Sequence, residues 1–148
     1  MKFDLRWLNC FWLLIPLLIW NITLGHRIAN EKVISDAYSS RGLLILENIT
    51  RVAVFALPLF IPLRWEAPLS QVGIAVYLAG TILYFASWIP LLLFSNSSWS
   101  MSPVGLLAPR LTPLLPFLGI AMIGSSWFYG SISLLFVILH VWHGIQNL

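Results

Sequence analysis

Long apolar runs alternate along the chain with short polar stretches rich in serine, arginine and proline. Runs of this length are typical of transmembrane helices, because about 20 apolar residues are needed to cross the hydrocarbon layer of a bilayer. The pattern predicts an all-α integral membrane bundle of about five transmembrane helices, forming a single domain over residues 1–148. The predicted spans cover residues 5–24, 42–63, 69–94, 111–129 and 130–148.

The composition points the same way. Of the 148 residues, 59% are hydrophobic and 9% are charged, whereas a soluble domain carries about 25% charged residues. The net charge is +3, but the basic residues stand singly, which argues against nucleic acid as a partner and favours membrane lipid. The lone Cys10 excludes an intrachain disulfide. The expected location is a cell membrane that the chain crosses several times.

Five crossings place the two ends of the chain on opposite sides of the bilayer. Side A denotes the side of the N-terminus, and side B denotes the opposite side. Side B then receives the loops at residues 26–41 and 95–110, the C-terminus and the more polar halves of the second and fifth spans. Lysine and arginine are nearly balanced between the two sides, and the usual dominance of the first span favours side A as cytoplasmic.

The second predicted span contains two ionisable residues, Glu47 and Arg51. An isolated charge at that depth costs at least ~2.5 to 3.5 kcal/mol, so both side chains are expected to face protein or water. Their spacing of four places them on one helix face, with Asn48 beside Arg51. One interpretation is an ion pair that joins helices. The other is that Arg51 and Asn48 bind an anionic group while Glu47 serves as a base, proton carrier or metal ligand.

The last predicted span carries His140 and His143 on one face, near the expected level of Glu47. Two imidazoles in this position are candidates for proton carriers, for an acid and base pair, or for metal ligands. The alternative is that they form hydrogen bonds with Tyr77, Tyr84 or a serine of a neighbouring span.

A zinc site needs a third protein ligand, for which Glu47 is the first candidate and His26 the second. The chain lacks an HExxH motif and glycine-rich phosphate loops. The sequence therefore predicts no metal and no cofactor, and it leaves His140, His143 and Glu47 as weak metal candidates.

Small residues recur at intervals of seven in two other spans. They are Gly73, Gly80 and Ser87 in the third span and Thr112, Gly119 and Ser126 in the fourth. Such stripes let helix backbones approach closely, so we expect these faces to pack against neighbouring helices.

Five short segments resemble those of one group of membrane proteins. They are Glu47-Asn-Ile-Thr-Arg51, Leu57-Pro-Leu-Phe-Ile-Pro62, Ser97-Ser-Trp-Ser100, Ala108-Pro-Arg-Leu-Thr-Pro113 and the terminal His140-Val-Trp-His143. Over most of its length the chain resembles small uncharacterised bacterial multi-pass membrane proteins. The resemblance implies a location in the bacterial inner membrane and implies no activity, cofactor or site residue.

Three functions are compatible with these patterns. The leading hypothesis is a polar cavity, open towards side B, that binds a lipid-like or small anionic ligand through Arg51, Asn48, Glu47, His140 and His143. The second is an intramembrane enzyme acting on a lipid, with His143 or Glu47 as general base and Arg51 stabilising negative charge. The third is a structural or accessory subunit. Association with further copies of the chain is left open.

Overall fold

The computed structural model describes the backbone of residues 8–31 and 40–148, with side chains for residues 8–24 and 40–148. In this part the chain is all-α, which confirms the predicted fold class. The helices are α1 (Ile15–Glu31), α2 (Arg41–Ala56), α3 (Ser70–Leu93), α4 (Pro103–Leu111), α5 (Leu114–Ile123) and α6 (Trp127–Gln146). Short 3-10 turns at Cys10–Leu14 and Leu57–Phe60 precede α1 and follow α2.

Within residues 8–31 and 40–148, four helical stretches are long and apolar enough to cross a membrane. They are Arg41–Phe60, Ser70–Leu93, Pro103–Ile123 and Trp127–Gln146, and a shorter apolar helix covers Cys10–Leu24. Large apolar side chains such as Val52 and Ile82 are about two-thirds exposed on the outside of the helices. An apolar exterior of this kind suits contact with lipid, as expected of a membrane bundle.

The fourth span differs from its predicted bounds of 111–129, because helix begins at Pro103 inside the predicted loop. The Ser102 hydroxyl caps this helix by accepting a hydrogen bond from the amide of Gly105. Proline is favoured in a first helical turn because its missing N–H is not needed there. At Thr112 and Pro113 the helix breaks between α4 and α5. Pro103, interpreted as a loop residue, therefore starts the span, and Pro113, which the prediction placed inside the span, lies where its helix is interrupted.

The turn into the last helix lies at residues 124–126 rather than at the predicted junction between Tyr129 and Gly130. Ser125 has a positive φ of 52°. The next residue, Ser126, caps α6 because its side chain accepts a hydrogen bond from the amide of Tyr129. Serine caps at both ends of the fourth span thus decide where the helices begin.

The predicted small-residue faces lie at the contact between α3 and α5. A Cβ atom added to Gly119 would lie 2.6 Å from the backbone nitrogen of Tyr77 and 2.7 Å from the carbonyl oxygen of Gly73. The Tyr77 hydroxyl of α3 donates to the Leu13 carbonyl at 2.7 Å. Close backbone packing therefore joins α3 to α5, and a tyrosine joins it to the first span.

Helix α6 is the second centre of packing, since it contacts α2, α4 and α5. At the other end of α2, the segment near Ile61 forms backbone hydrogen bonds with the start of the first span, including one of 2.8 Å from the Cys10 amide to the Ile61 carbonyl. Helix α2 also packs directly against α6. The charged residues of α2 consequently face the histidines of α6.

Candidate functional site

The carboxylate of Glu47 is the shared acceptor of three side chains. His140 Nδ1 lies 2.9 Å from one carboxylate oxygen, Oε1, and His143 Nδ1 lies 2.6 Å from the other, Oε2. The Arg51 guanidinium forms an ion pair with Oε1. Glu47 itself is 1% exposed. The structure therefore brings Glu47, Arg51, His140 and His143 together in one arrangement, called here the Glu47 cluster.

The helix positions of these residues explain why they meet. Arg51 follows Glu47 by four residues in α2, and His143 follows His140 by three residues in α6, so each pair shares a helix face. Glu47 lies roughly 9 Å from the first residue of α2, and His140 lies roughly 9 Å from the last residue of α6, at 1.5 Å per residue. Because α2 and α6 run side by side, the two pairs lie at the same level of the bundle.

The hydrogen bonds to Glu47 set the tautomer of both imidazoles. An ionised carboxylate has no proton to donate, so each Nδ1 atom donates to Glu47, and in a neutral ring the Nε2 atom then carries the lone pair. The His140 ring stacks on Phe136 with the ring centroids 5.4 Å apart. The Arg51 guanidinium lies 6.0 Å from the centre of the same phenylalanine ring. Phe136 thus provides a shared apolar wall for a cation and an imidazole.

Exposure differs sharply between the acid and its partners. The side chain of Glu47 is 2% exposed, whereas Arg51 is 43%, His140 27% and His143 16% exposed. The carboxylate is therefore on the inside of the cluster, and its basic partners form the outer surface. A group arriving from outside the bundle meets positive and imidazole groups before it meets the acid.

Sequence reasoning missed a fifth residue, Arg110, because it assigned this position to a loop. The structure places Arg110 in α4, where its side chain packs on Gly144 of α6. It lies within electrostatic range of Glu47 and His140. The Ser102-Pro103 pair was the available signal, since it marks the start of a helix that extends past Arg110.

Arg110 makes no ion pair in the described part of the chain. Its Nη1 atom is buried and has no hydrogen-bond partner there, and the ion pairs of Glu47 are with Arg51 and the two histidines. One guanidinium thus pairs with the carboxylate and a second lies within electrostatic range of it, which leaves an excess of positive charge even when both imidazoles are neutral.

Other predicted contacts turned out differently. Asn48 is exposed and makes no hydrogen bond within the described residues, so it does not join the cluster. The hydroxyl groups of Tyr77 and Tyr84 donate to the Leu13 carbonyl and the Asn21 side chain in the first span, so the alternative in which these tyrosines bind the histidines is wrong. The side chain of His26 lies outside the described residues.

Among the described side chains, no group of three histidine, cysteine or acidic residues is arranged to hold a metal ion. The chemistry that the cluster does support is binding of an anion and exchange of protons at the imidazoles.

A scan against protein-family models and searches of curated proteins and of solved structures found no match to this chain. Support for a function therefore comes from the geometry and chemistry of the Glu47 cluster.

Proposed function

We propose that the protein is a multi-pass protein of the bacterial inner membrane that binds a lipid-like or small anionic ligand in a polar cavity open towards side B. The observation that carries this proposal is the charge of the Glu47 cluster. One buried carboxylate contacts one guanidinium and two imidazoles, a second guanidinium, that of Arg110, lies within electrostatic range, and Arg51 lies towards the outside.

Arg51 is the principal contact for the ligand. It lies roughly 15 Å along the helix from Arg41, near the middle of a 20-residue span. A partly exposed charge at this depth is unfavourable, and a single bond to Glu47 leaves most of its five N–H donors available. An anionic oxygen beside Arg51 would satisfy these donors and offset the positive excess.

The imidazoles would contribute polar contacts and proton exchange. Because Glu47 accepts from both Nδ1 atoms, the Nε2 atom of each neutral ring is the position for a proton taken from or given to a ligand. His140 and His143 would exchange protons with a ligand that changes its protonation state on binding.

A second candidate function is that of an intramembrane enzyme acting on a lipid, and one specific observation favours it. The hydrogen bond of 2.6 Å between His143 and Glu47 has the arrangement by which a carboxylate orients a catalytic base. In that case His143 is the general base and Arg51 stabilises developing negative charge. Glu47 acts through the imidazoles, since both of its oxygens already accept hydrogen bonds.

Ligand-induced stabilisation of the purified protein tests the proposal. Dioctanoyl phosphatidic acid and inorganic phosphate serve as anionic probes, and dioctanoyl phosphatidylcholine serves as the probe without net charge. We expect at least one anionic probe to raise the melting temperature in a concentration-dependent way, because a ligand that binds the folded state stabilises it.

The matched variants are Arg51→Gln and Arg64→Gln, since Arg64 is exposed in the turn before α3. The stabilisation should disappear in Arg51→Gln and persist in Arg64→Gln. Equal stabilisation in both variants, or none in the wild type, would overturn the proposal and favour a structural role for the cluster.

A further inference from the structure

An apolar groove runs along the outside of the bundle between α6 and the α4–α5 pair. Its volume is about 260 Å³, and its walls include Leu111, Leu114, Leu134, Val141 and Ile145. The part along α6 extends from Leu134 to Ile145, which is roughly 16 Å at the rise of an α-helix. The groove is therefore long and narrow, and it has the chemical character of a hydrocarbon chain.

One end of this groove lies one residue along each helix from the contact between Arg110 and Gly144. The wall residue Leu111 directly follows Arg110 in α4, and the wall residue Ile145 directly follows Gly144 in α6. Arg110 packs on Gly144 so closely that a Cβ atom there would lie 2.4 Å from Nη1. Because Gly144 has no side chain, the Arg110 side chain can lie directly against the backbone of α6 at this point.

Arg110 also makes no ion pair within the described residues. Its side chain is half-buried, and its Nη1 atom has no hydrogen-bond acceptor within the described residues. It is roughly 10 Å along the helix from Pro103, within the span Pro103–Ile123. A charge without an ion-pair partner is unfavourable at this depth, so an anion that can reach the membrane interior would stabilise it.

We propose that the groove and Arg110 together form a seat for one acidic phospholipid. One acyl chain occupies the groove, and the phosphate group lies at its Arg110 end. A phosphate is the favoured headgroup anion because a guanidinium can donate two parallel hydrogen bonds to its oxygens. This inference rests on the proposed anion binding, and it narrows the ligand to a phosphate-bearing lipid.

Two probes separate the lipid from its headgroup: dioctanoyl phosphatidic acid and glycerol 3-phosphate. They share the phosphomonoester, and only the first has acyl chains. Since each buried methylene group adds favourable transfer free energy, the lipid should bind at least about tenfold more tightly than glycerol 3-phosphate. Binding is measured with the full chain in detergent micelles by titration of the melting temperature and by native mass spectrometry.

Variants assign the two parts of the seat. Val141→Phe places a larger side chain in the groove and should weaken lipid binding at least about fivefold while leaving glycerol 3-phosphate binding unchanged. Val72→Phe, on an exposed position of α3, is the control and should leave both unchanged. Arg110→Gln should weaken both probes. Gly144→Ala keeps the charge but displaces the guanidinium, so it should also weaken both.

The outcomes distinguish this inference from the proposed function. Equal affinity for the two probes, or lipid binding that is unchanged in Val141→Phe, would overturn the lipid seat while leaving anion binding intact. A loss of binding in Arg51→Gln with no change in Arg110→Gln or Gly144→Ala would overturn the role of Arg110. Failure of both probes to bind the wild type would overturn the inference and the proposed function together.

Discussion

The Nδ1 atom of His143 lies 2.6 Å from the Oε2 atom of Glu47, although the two residues are 96 positions apart in the chain. This contact joins α2 to α6 and provides a buried carboxylate with a donor from another span. Because Arg51 and His140 occupy the other oxygen, the acid holds three basic side chains at once. Removal of that acid is the most disruptive single change to the cluster.

The first prediction concerns Glu47→Gln. The amide has the shape of the acid but no charge, so Arg51 and the two imidazoles lose their shared counter-ion. Removing one partner of a buried ion pair costs about 3 to 5 kcal/mol, and we expect a loss of unfolding free energy of that order. Equilibrium unfolding in mixed micelles measures it. Glu66→Gln is the control, because Glu66 is exposed in the turn before α3, and equal effects of the two changes would contradict the role of Glu47.

The second prediction separates an isolated ion pair from the larger cluster. In a double-mutant cycle of Glu47→Ala and Arg51→Ala, an isolated pair would leave the double variant as stable as the wild type. We expect the double variant to remain clearly less stable, because His140 and His143 also lose their acceptor. Recovery of wild-type unfolding free energy in the double variant would show that the histidine contacts add nothing to stability.

Part of this site follows from the sequence in a direct way. Charges in an apolar span must face inwards, and spacings of three and four place Glu47 with Arg51 and His140 with His143 on single helix faces. The spacing along one helix does not show which other helix packs against that face. The packing of α2 against α6 determines that Glu47 accepts hydrogen bonds from both histidines. The same packing leaves Asn48 outside the cluster.

The bounds of the fourth span show a second limit of sequence reasoning. Proline can either start a helix or interrupt one. The sequence alone does not show that Pro103 starts a helix and Pro113 interrupts one, because this depends on the neighbouring caps. The misplacement of this span hid Arg110 in a loop. Its contact with Gly144 depends on the distance between two helices, which periodicity does not give.

The third prediction tests the close approach of α3 and α5. Gly119→Ala would place a Cβ atom 2.6 Å from the backbone nitrogen of Tyr77, so the two helices must separate. Overpacking of this kind typically costs about 1 to 3 kcal/mol, and we expect a loss of unfolding free energy in that range. Gly42→Ala is the control, since an added Cβ there has no atom within 4 Å. A stability loss no larger than that of the control would contradict the packing.

The fourth prediction concerns the sides of the membrane. In a Cys10→Ser background, single cysteines replace Glu66, Ser98 and Ser125, which are exposed in the turns between spans. Because one span separates each turn from the next, a membrane-impermeant thiol reagent should label positions 66 and 125 from one side and position 98 from the other. Labelling of all three from the same side would contradict the crossing pattern.

The most direct test of the account is nitrogen NMR of the protein labelled with ¹⁵N-histidine. At a pH above the ordinary histidine range, His140 and His143 should each show a protonated, hydrogen-bonded Nδ1 and an unprotonated Nε2, assigned through His140→Gln and His143→Gln. Glu47→Gln should abolish this signature for both rings, and Glu66→Gln should leave it unchanged. Nε2-protonated rings in the wild type, or a signature that survives Glu47→Gln, would contradict the central claim that one carboxylate orients both imidazoles.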